Sequence, residues 1–246
     1  PAGNGPCVLY CKLLTRTDKE MNNLFDIDSP LMQTLGRLAD LMILNFLTMI
    51  CCIPIFTAGA AFTALDYMCL KMVRNEENYL IRGYFKSFKE NFKQATIIWM
   101  LFLVIGLILG FDVYFVATVL TTSSTFRTVL ATAFLAMLFI WLAMFTYVFP
   151  LQARFYNTVK RTIFNAFFMS IRHIFHTIAM IAIAAGMIFL TLTVVPQLML
   201  FGVPLIAFVN SYILEAIFKK YIPKDERADE KELRPLFENE EDTKSL

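Results

Sequence analysis

Between Leu41 and Leu214 apolar residues run in long blocks, separated by short stretches rich in Lys, Arg and aromatic side chains. Leu41–Leu65, Thr128–Ala153 and Thr177–Leu214 hold no Asp, Glu, Lys or Arg. A hydrocarbon core about 30 Å thick is crossed by roughly 20 apolar residues in a helix, so these blocks are of transmembrane size. The first span is expected from about Leu35 to Ile53. Cys52–Gly59 then breaks the chain, because Pro54 has no amide hydrogen and crowds the turn before it. Thr57 is placed to N-cap a second, short helix over Gly59–Val73. As one helix, Leu38–Leu65 would be about 42 Å long and exceed the core even when tilted, so a hairpin is expected. A third span covers about Gln94–Ala117 and a fourth about Phe126–Phe149, joined by the polar Thr121–Ser124. Thr177–Leu214 would be about 57 Å long as one helix, so it must fold back. The turn is expected at Val194–Gln197, with Gly202–Pro204 as the alternative. The pattern predicts an all-α fold, a polytopic transmembrane helix bundle of about six spans (five if the first two merge), with short amphipathic interfacial helices.

Charge sets the orientation. Lys71, Arg74, Arg82, Lys86, Lys89 and Lys93 lie between spans two and three, Arg154, Lys160, Arg161 and Arg172 between four and five, and Lys219 and Lys220 after six. The opposite connections hold Arg127 alone. Cytoplasmic loops carry the excess of Lys and Arg, so both termini are expected in the cytoplasm. The formal net charge of +2 hides a division. Arg37–Lys220 holds 14 basic and 7 acidic residues, while the tail from Pro223 holds 9 acidic residues. Basic residues beside apolar spans fit a bilayer with an anionic inner leaflet as partner, and not nucleic acid. Arg37 and Asp40, three apart, are expected to pair at the cytoplasmic end of span one.

Phe85, Phe88 and Phe92 recur at i, i+3, i+7, and Lys86, Lys89 and Lys93 repeat that spacing one residue later. Such a segment is expected to be an amphipathic interfacial helix with an aromatic and a basic face. Arg82, Lys86, Lys89, Lys93 and Arg172 are the candidate lipid or partner contacts. Phe168, Ser170, Ile171, Arg172, Phe175 and His176 match Phe85, Ser87, Phe88, Lys89, Phe92 and Lys93 at a constant offset, each stretch leading into a span. This predicts a weak internal repeat, although basic flanks selected independently beside spans would look the same.

No pattern for catalysis, phosphate binding or metal ligation occurs, and neither an enzyme nor a cofactor is expected. His173 and His176 are read as polar-face residues at headgroup level. Cys51, Cys52 and Cys69 have no disulfide or zinc spacing and are read as small packing residues. The candidate intramembrane polar residues are Asn45, Asp66, Asp112 and Asn210. Asp66 shares a helix face with Gly59, Thr63 and Leu70, and an ionisable group at that depth belongs toward the bundle interior. Asn45 forms a stripe with Thr48 and Cys52, Asp112 lies near the outer end of span three, and Glu215 and Arg154 lie near the cytoplasmic boundary. Helix–helix hydrogen bonding explains this set, and a polar path for a small solute is the alternative.

Residues 1–20 are expected to be a non-native or disordered extension, with Met21 as the natural start and the transmembrane domain over 21–222. Residues 223–246, dense in both charges, are expected to form a disordered cytosolic tail. Several stretches resemble the YesL-like family of integral membrane proteins of Firmicutes: Leu24–Pro30 (LFDIDSP), Leu38–Leu47 (LADLMILNFL), Ile53–Ala64 (IPIFTAGAAFTA), Phe85–Trp99 (FKSFKENFKQATIIW) and Tyr147–Lys160 (YVFPLQARFYNTVK). The resemblance implies a multi-pass protein of the bacterial cell membrane with no established reaction. Genes of that family stand beside carbohydrate ABC importers, which implies an accessory or regulatory role with importer permease subunits as partners. A non-catalytic accessory protein is therefore expected first, and a small-solute transporter second.

Overall fold

The computed structural model describes residues 30–76, 79–118, 124–155, 157–193 and 202–221. The expected extension over 1–20, the start at Met21, the tail over 223–246 and the turn at Val194–Gln197 lie outside them. Among the described residues the chain is all helical: α1 Pro30–Cys52, a 3-10 turn Ile55–Thr57, α2 Ala58–Arg74, α3 Leu80–Thr118, α4 Ser124–Arg154, α5 Val159–Arg172, α6 Ile174–Thr193 and α7 Gly202–Phe218. Four stretches are long and apolar enough to cross a membrane: Thr34–Cys52, Leu80–Thr118, Thr125–Arg154 and Ile174–Thr193. The helices α2 and α7, 17 residues each, are shorter.

The break between α1 and α2 falls at Pro54, as the missing amide requires. Thr57 holds the N-cap position of α2 expected of it, but without the expected capping bond. It is helical, makes no cap hydrogen bond, and donates its hydroxyl backward to the carbonyls of Pro54, at 2.7 Å, and Cys51. These bonds satisfy acceptors left open where the proline ended α1. At its other end α2 stops at Asn75, whose left-handed conformation (φ 56°) caps Lys71 and Met72. Asparagine tolerates that conformation better than other side chains. Arg37 donates to Asn75 Oδ1 at 2.8 Å, tying the start of α1 to the end of α2, where a pair with Asp40 was expected.

α2 is the hub of the bundle. Ala58, Gly59, Ala60, Ala61, Thr63 and Ala64 are all buried, because small side chains let other helices approach on every side. α2 packs on α1, α3, α4 and α7. Gly59 lies against Ala95 and Trp99 of α3, and Gly83 of α3 lies against Met68. Beyond α2, Phe62, Trp99, Phe145 and Phe149 form a chain of tilted and edge-on ring contacts with centroids 5.3–6.2 Å apart. Trp99 donates to the Ile55 carbonyl at 2.8 Å and Trp141 to the Phe102 carbonyl at 3.1 Å, so both indoles are satisfied.

Three expectations are corrected. Phe85–Lys93 is not a separate interfacial helix; it is continuous with span three in the 39-residue α3. α4 passes through Pro150 and ends at Arg154, beyond the expected Phe149. The two stretches read as a repeat are different elements, since the first lies within α3 and the second straddles the α5–α6 junction at His173. Gly202–Pro204, the alternative turn, is the first turn of α7, where a proline costs no hydrogen bond. The outer halves of α3 and α4 expose Val104, Leu107, Ile108, Phe111, Val129 and Leu135, apolar surface that lipid tolerates and water does not.

Candidate functional site

The inward stripe of α3 is made of Tyr84, Ser87, Asn91, Ala95, Ile98 and Phe102, following i, i+3, i+7, i+11, i+14, i+18. Its N-terminal half is polar, and there three helices exchange side-chain hydrogen bonds. Gln152 of α4, 4% exposed, donates to Gln94 Oε1 at 2.7 Å and Asn91 Oδ1 at 3.3 Å. Its Oε1 accepts from the buried Thr162 of α5 at 3.0 Å. Asn91 in turn donates to the Ser87 carbonyl at 3.1 Å. Both amide hydrogens of Gln152 and one face of its oxygen are thus occupied, which fixes the side chain from three directions. A second contact joins the hydroxyls of Tyr147 and Thr177 at 3.2 Å, with Thr177 also 3.0 Å from the Ser170 and His173 carbonyls. A third runs from Tyr84 to Thr48 at 3.3 Å and from Thr48 to the Leu44 carbonyl at 2.7 Å, linking α3 to α1.

The candidate polar residues are dispersed by comparison. Asn45 is buried in α1 and is bonded within the bundle. Asp66 is half-buried on the α2 face of Gly59, Thr63 and Leu70, the face that meets α3. Asp112 is half-buried in the C-terminal half of α3, remote in sequence from the polar stripe. Asn210 is buried in α7 with its Oδ1 unpaired. One turn further, Glu215 is buried and its Oε2 lies 3.7 Å from Arg74 Nη1 at the end of α2. Arg74 also pairs with Glu76, its Nε 2.9 Å from Glu76 Oε2. Glu215→Ala is expected to destabilise by only about 1 kcal/mol, because the pair is long and Arg74 keeps Glu76. A thermal melt in detergent would measure it, and a loss above about 3 kcal/mol would show the pair to be dominant.

The basic candidates divide. Arg82, Lys86, Lys89 and Lys93 form one exposed row on α3, opposite its inward stripe. Arg172 is exposed at the end of α5, on a different element. Beside it His173 lies 3.0 Å from the Tyr221 hydroxyl, and partial burial, with His176, Lys220 and Arg172 nearby, holds its imidazole below the usual histidine value. The unfolded chain then takes up this proton at a higher pH than the folded one. Stability is full above the ordinary value near 6.5 and falls as the pH drops from there toward the lowered folded value. Melting temperatures between pH 8 and 5 should show a decline that His173→Asn flattens.

Sequence reasoning missed the Gln152 network. Its signal was present, since Ser87, Asn91 and Gln94 lie in Phe85–Trp99 and Gln152 in Tyr147–Lys160, two of the stretches that carry the family resemblance. Read separately, each looks like ordinary polar flanking sequence.

The architecture is that of an all-helical protein with helices of membrane-spanning length and composition. A family described as "Protein of unknown function, DUF624" matches residues 41–113, which cover the C-terminal half of α1, all of α2 and most of α3. No curated protein and no solved structure matches the chain.

Proposed function

We propose that this chain is a non-catalytic accessory or regulatory component of carbohydrate ABC import, embedded in the bacterial cell membrane with both termini cytoplasmic. One observation supports a contact role above others: the unbroken run of α3. At 39 residues it is about 58 Å long, nearly twice the hydrocarbon thickness, so it cannot be contained in the bilayer. With Lys93 at the headgroups, Arg82 stands about 16 Å further along the axis, and the row faces away from the bundle. An interfacial helix would lay this row on lipid; a continuous one presents it to a protein. Arg82 and Lys86 are the outermost contacts, and the partner surface they meet is acidic. The buried polar side chains of α3, α4 and α5 bond to one another, which suits a scaffold. The link to carbohydrate import rests on the resemblance to the YesL-like family, as do the bacterial membrane and the Firmicutes source. Six spans are part of this reading: the four helices of spanning length support it, with the shorter α2 and α7 as the other two. Affinity capture in mild detergent should recover importer permease subunits, and Arg82→Glu with Lys86→Glu should abolish their recovery. Capture that is unaffected by the charge reversal, or that yields no permease after crosslinking, removes this reading.

A small-solute transporter is the second reading, favoured by two buried polar features of α7, the unpaired Asn210 oxygen and the Glu215 carboxylate facing Arg74. Its route would use Asn45, Asp66 and Asn210. Proteoliposomes should then show solute flux that Asp66→Asn abolishes; unchanged flux in the variant excludes that path.

A further inference from the structure

We propose that the outward basic row of α3 is covered by this chain's own acidic tail, the carboxylates of Glu238, Glu240, Glu241 and Asp242 pairing with Arg82, Lys86, Lys89 and Lys93. The contact rests on the row and the tail alone and not on any role in import. All four cations are exposed, and none forms an ion pair among the described residues. Residues 82–93 hold these four basic side chains against one acidic, Glu90, which leaves an excess of three positive charges. Phe85, 42% exposed, stands on the same side of the helix between Arg82 and Lys89.

The tail supplies the complement in charge, length and order. Residues 238–242 hold four carboxylates and no cation, directly after the apolar pair Leu236 and Phe237, which has Phe85 to cover. Extended, those five residues span about 17 Å, and the row from Arg82 to Lys93 spans about 16 Å along the helix axis. An anionic headgroup beside Lys93 does not reach Arg82 over that distance, whereas the acidic block does. The other exposed cations around the root of the tail come in ones and twos: Lys160 with Arg161, Arg172 alone, and Lys219 with Lys220. None of them offers four charges along one line.

The packing of the helices brings the tail within reach. α7 ends beside α4, with the rings of Phe218 and Phe155 5.5 Å apart. About one turn before Phe155, Gln152 donates to Gln94 of α3, the neighbour of Lys93. Two helix packings of about 8–10 Å each therefore separate the root of the tail from α3, and crossing to its far side adds about 10 Å. From Tyr221 to Glu238 the chain advances 17 residues, about 23 Å as a flexible tether and about 56 Å fully extended. The span lies between these lengths, and a charged tether is extended by its own repulsion. The carboxylates are thus held near the row at an effective concentration of the order of millimolar, so that individually weak surface pairs suffice.

Amine acetylation of the full-length protein in phosphatidylcholine nanodiscs, read residue by residue by mass spectrometry, tests this contact. Neutralising the block, by Glu238→Gln, Glu240→Gln, Glu241→Gln and Asp242→Asn together, should raise the labelling rates of Lys86, Lys89 and Lys93 by about threefold or more and leave Lys160 unchanged. In the wild type, a carbodiimide that condenses carboxylates with adjacent amines should join the block to the row. With heavy-isotope and unlabelled chains reconstituted together, the joined peptides should carry one isotope only. Unchanged labelling of the row in the neutralised variant overturns the proposal and leaves the row bare or covered by lipid. An equal gain at Lys160 overturns it as diffuse attraction, and mixed-isotope products overturn it in favour of a contact between two copies.

Discussion

Gly59→Leu is expected to yield no folded protein. A β-carbon at residue 59 would collide with the Trp99 β-carbon and stand 2.5 Å from the Ala95 carbonyl oxygen. Neither obstacle is the end of a flexible side chain, so relief requires α2 and α3 to move apart. Ala95 and Ile98 are fully buried at this contact, and the rings of Phe62, Trp99 and Phe149 pack at tilted angles beside it. Separation would undo that packing along the hub of the bundle. Gly59→Ala should already cost about 2–3 kcal/mol, the range for overpacked cores, and the leucine should exceed what the fold can absorb. Fluorescence-detected size exclusion in detergent should show the leucine variant aggregated and the alanine variant melting several degrees lower. Gly110→Leu, where a β-carbon meets nothing within 4 Å, is the matched control and should run as wild type.

Gln152→Leu is expected to lower stability by about 2 kcal/mol. The change conserves much of the volume but takes the partner from the buried Thr162 hydroxyl, the half-buried Asn91 Oδ1 and the exposed Gln94 Oε1. Each lost bond is worth only about 0.6 kcal/mol on average between membrane helices, because an unfolded chain in lipid finds other partners. The three groups stand on two helices, α3 and α5, however, and no single rearrangement restores them all. A double-mutant cycle with Gln94→Leu should give a coupling energy of about 1 kcal/mol, and additive effects would show that the two amides do not communicate.

Much of this architecture was legible in the order of residues. The break at Pro54, the length of the apolar helices and the outward basic row follow from local rules about proline, hydropathy and helical spacing. Thr57 was placed correctly at the start of α2, but its bond was not legible, because here the hydroxyl answers the open carbonyls of the preceding turn instead of capping its own helix. The α3 segment around Lys93 was misread because a change from basic to apolar sequence marks a change of solvent, not of conformation. The polar network was invisible because Gln152 lies 58 residues from Gln94, and nothing in either stretch names the other.

What the sequence determined alone was the solvent and the local geometry: long uncharged runs require lipid, and backbone hydrogen bonding in lipid requires helices. Which faces meet was decided by tertiary structure. Gly59 is one small residue among several in α2, and only the arrival of Ala95 and Trp99 makes it irreplaceable. Lipid is as apolar as leucine, so hydropathy cannot rank one apolar face over another; close fit and the pairing of a few polar groups do so, and both depend on residues far apart in the chain.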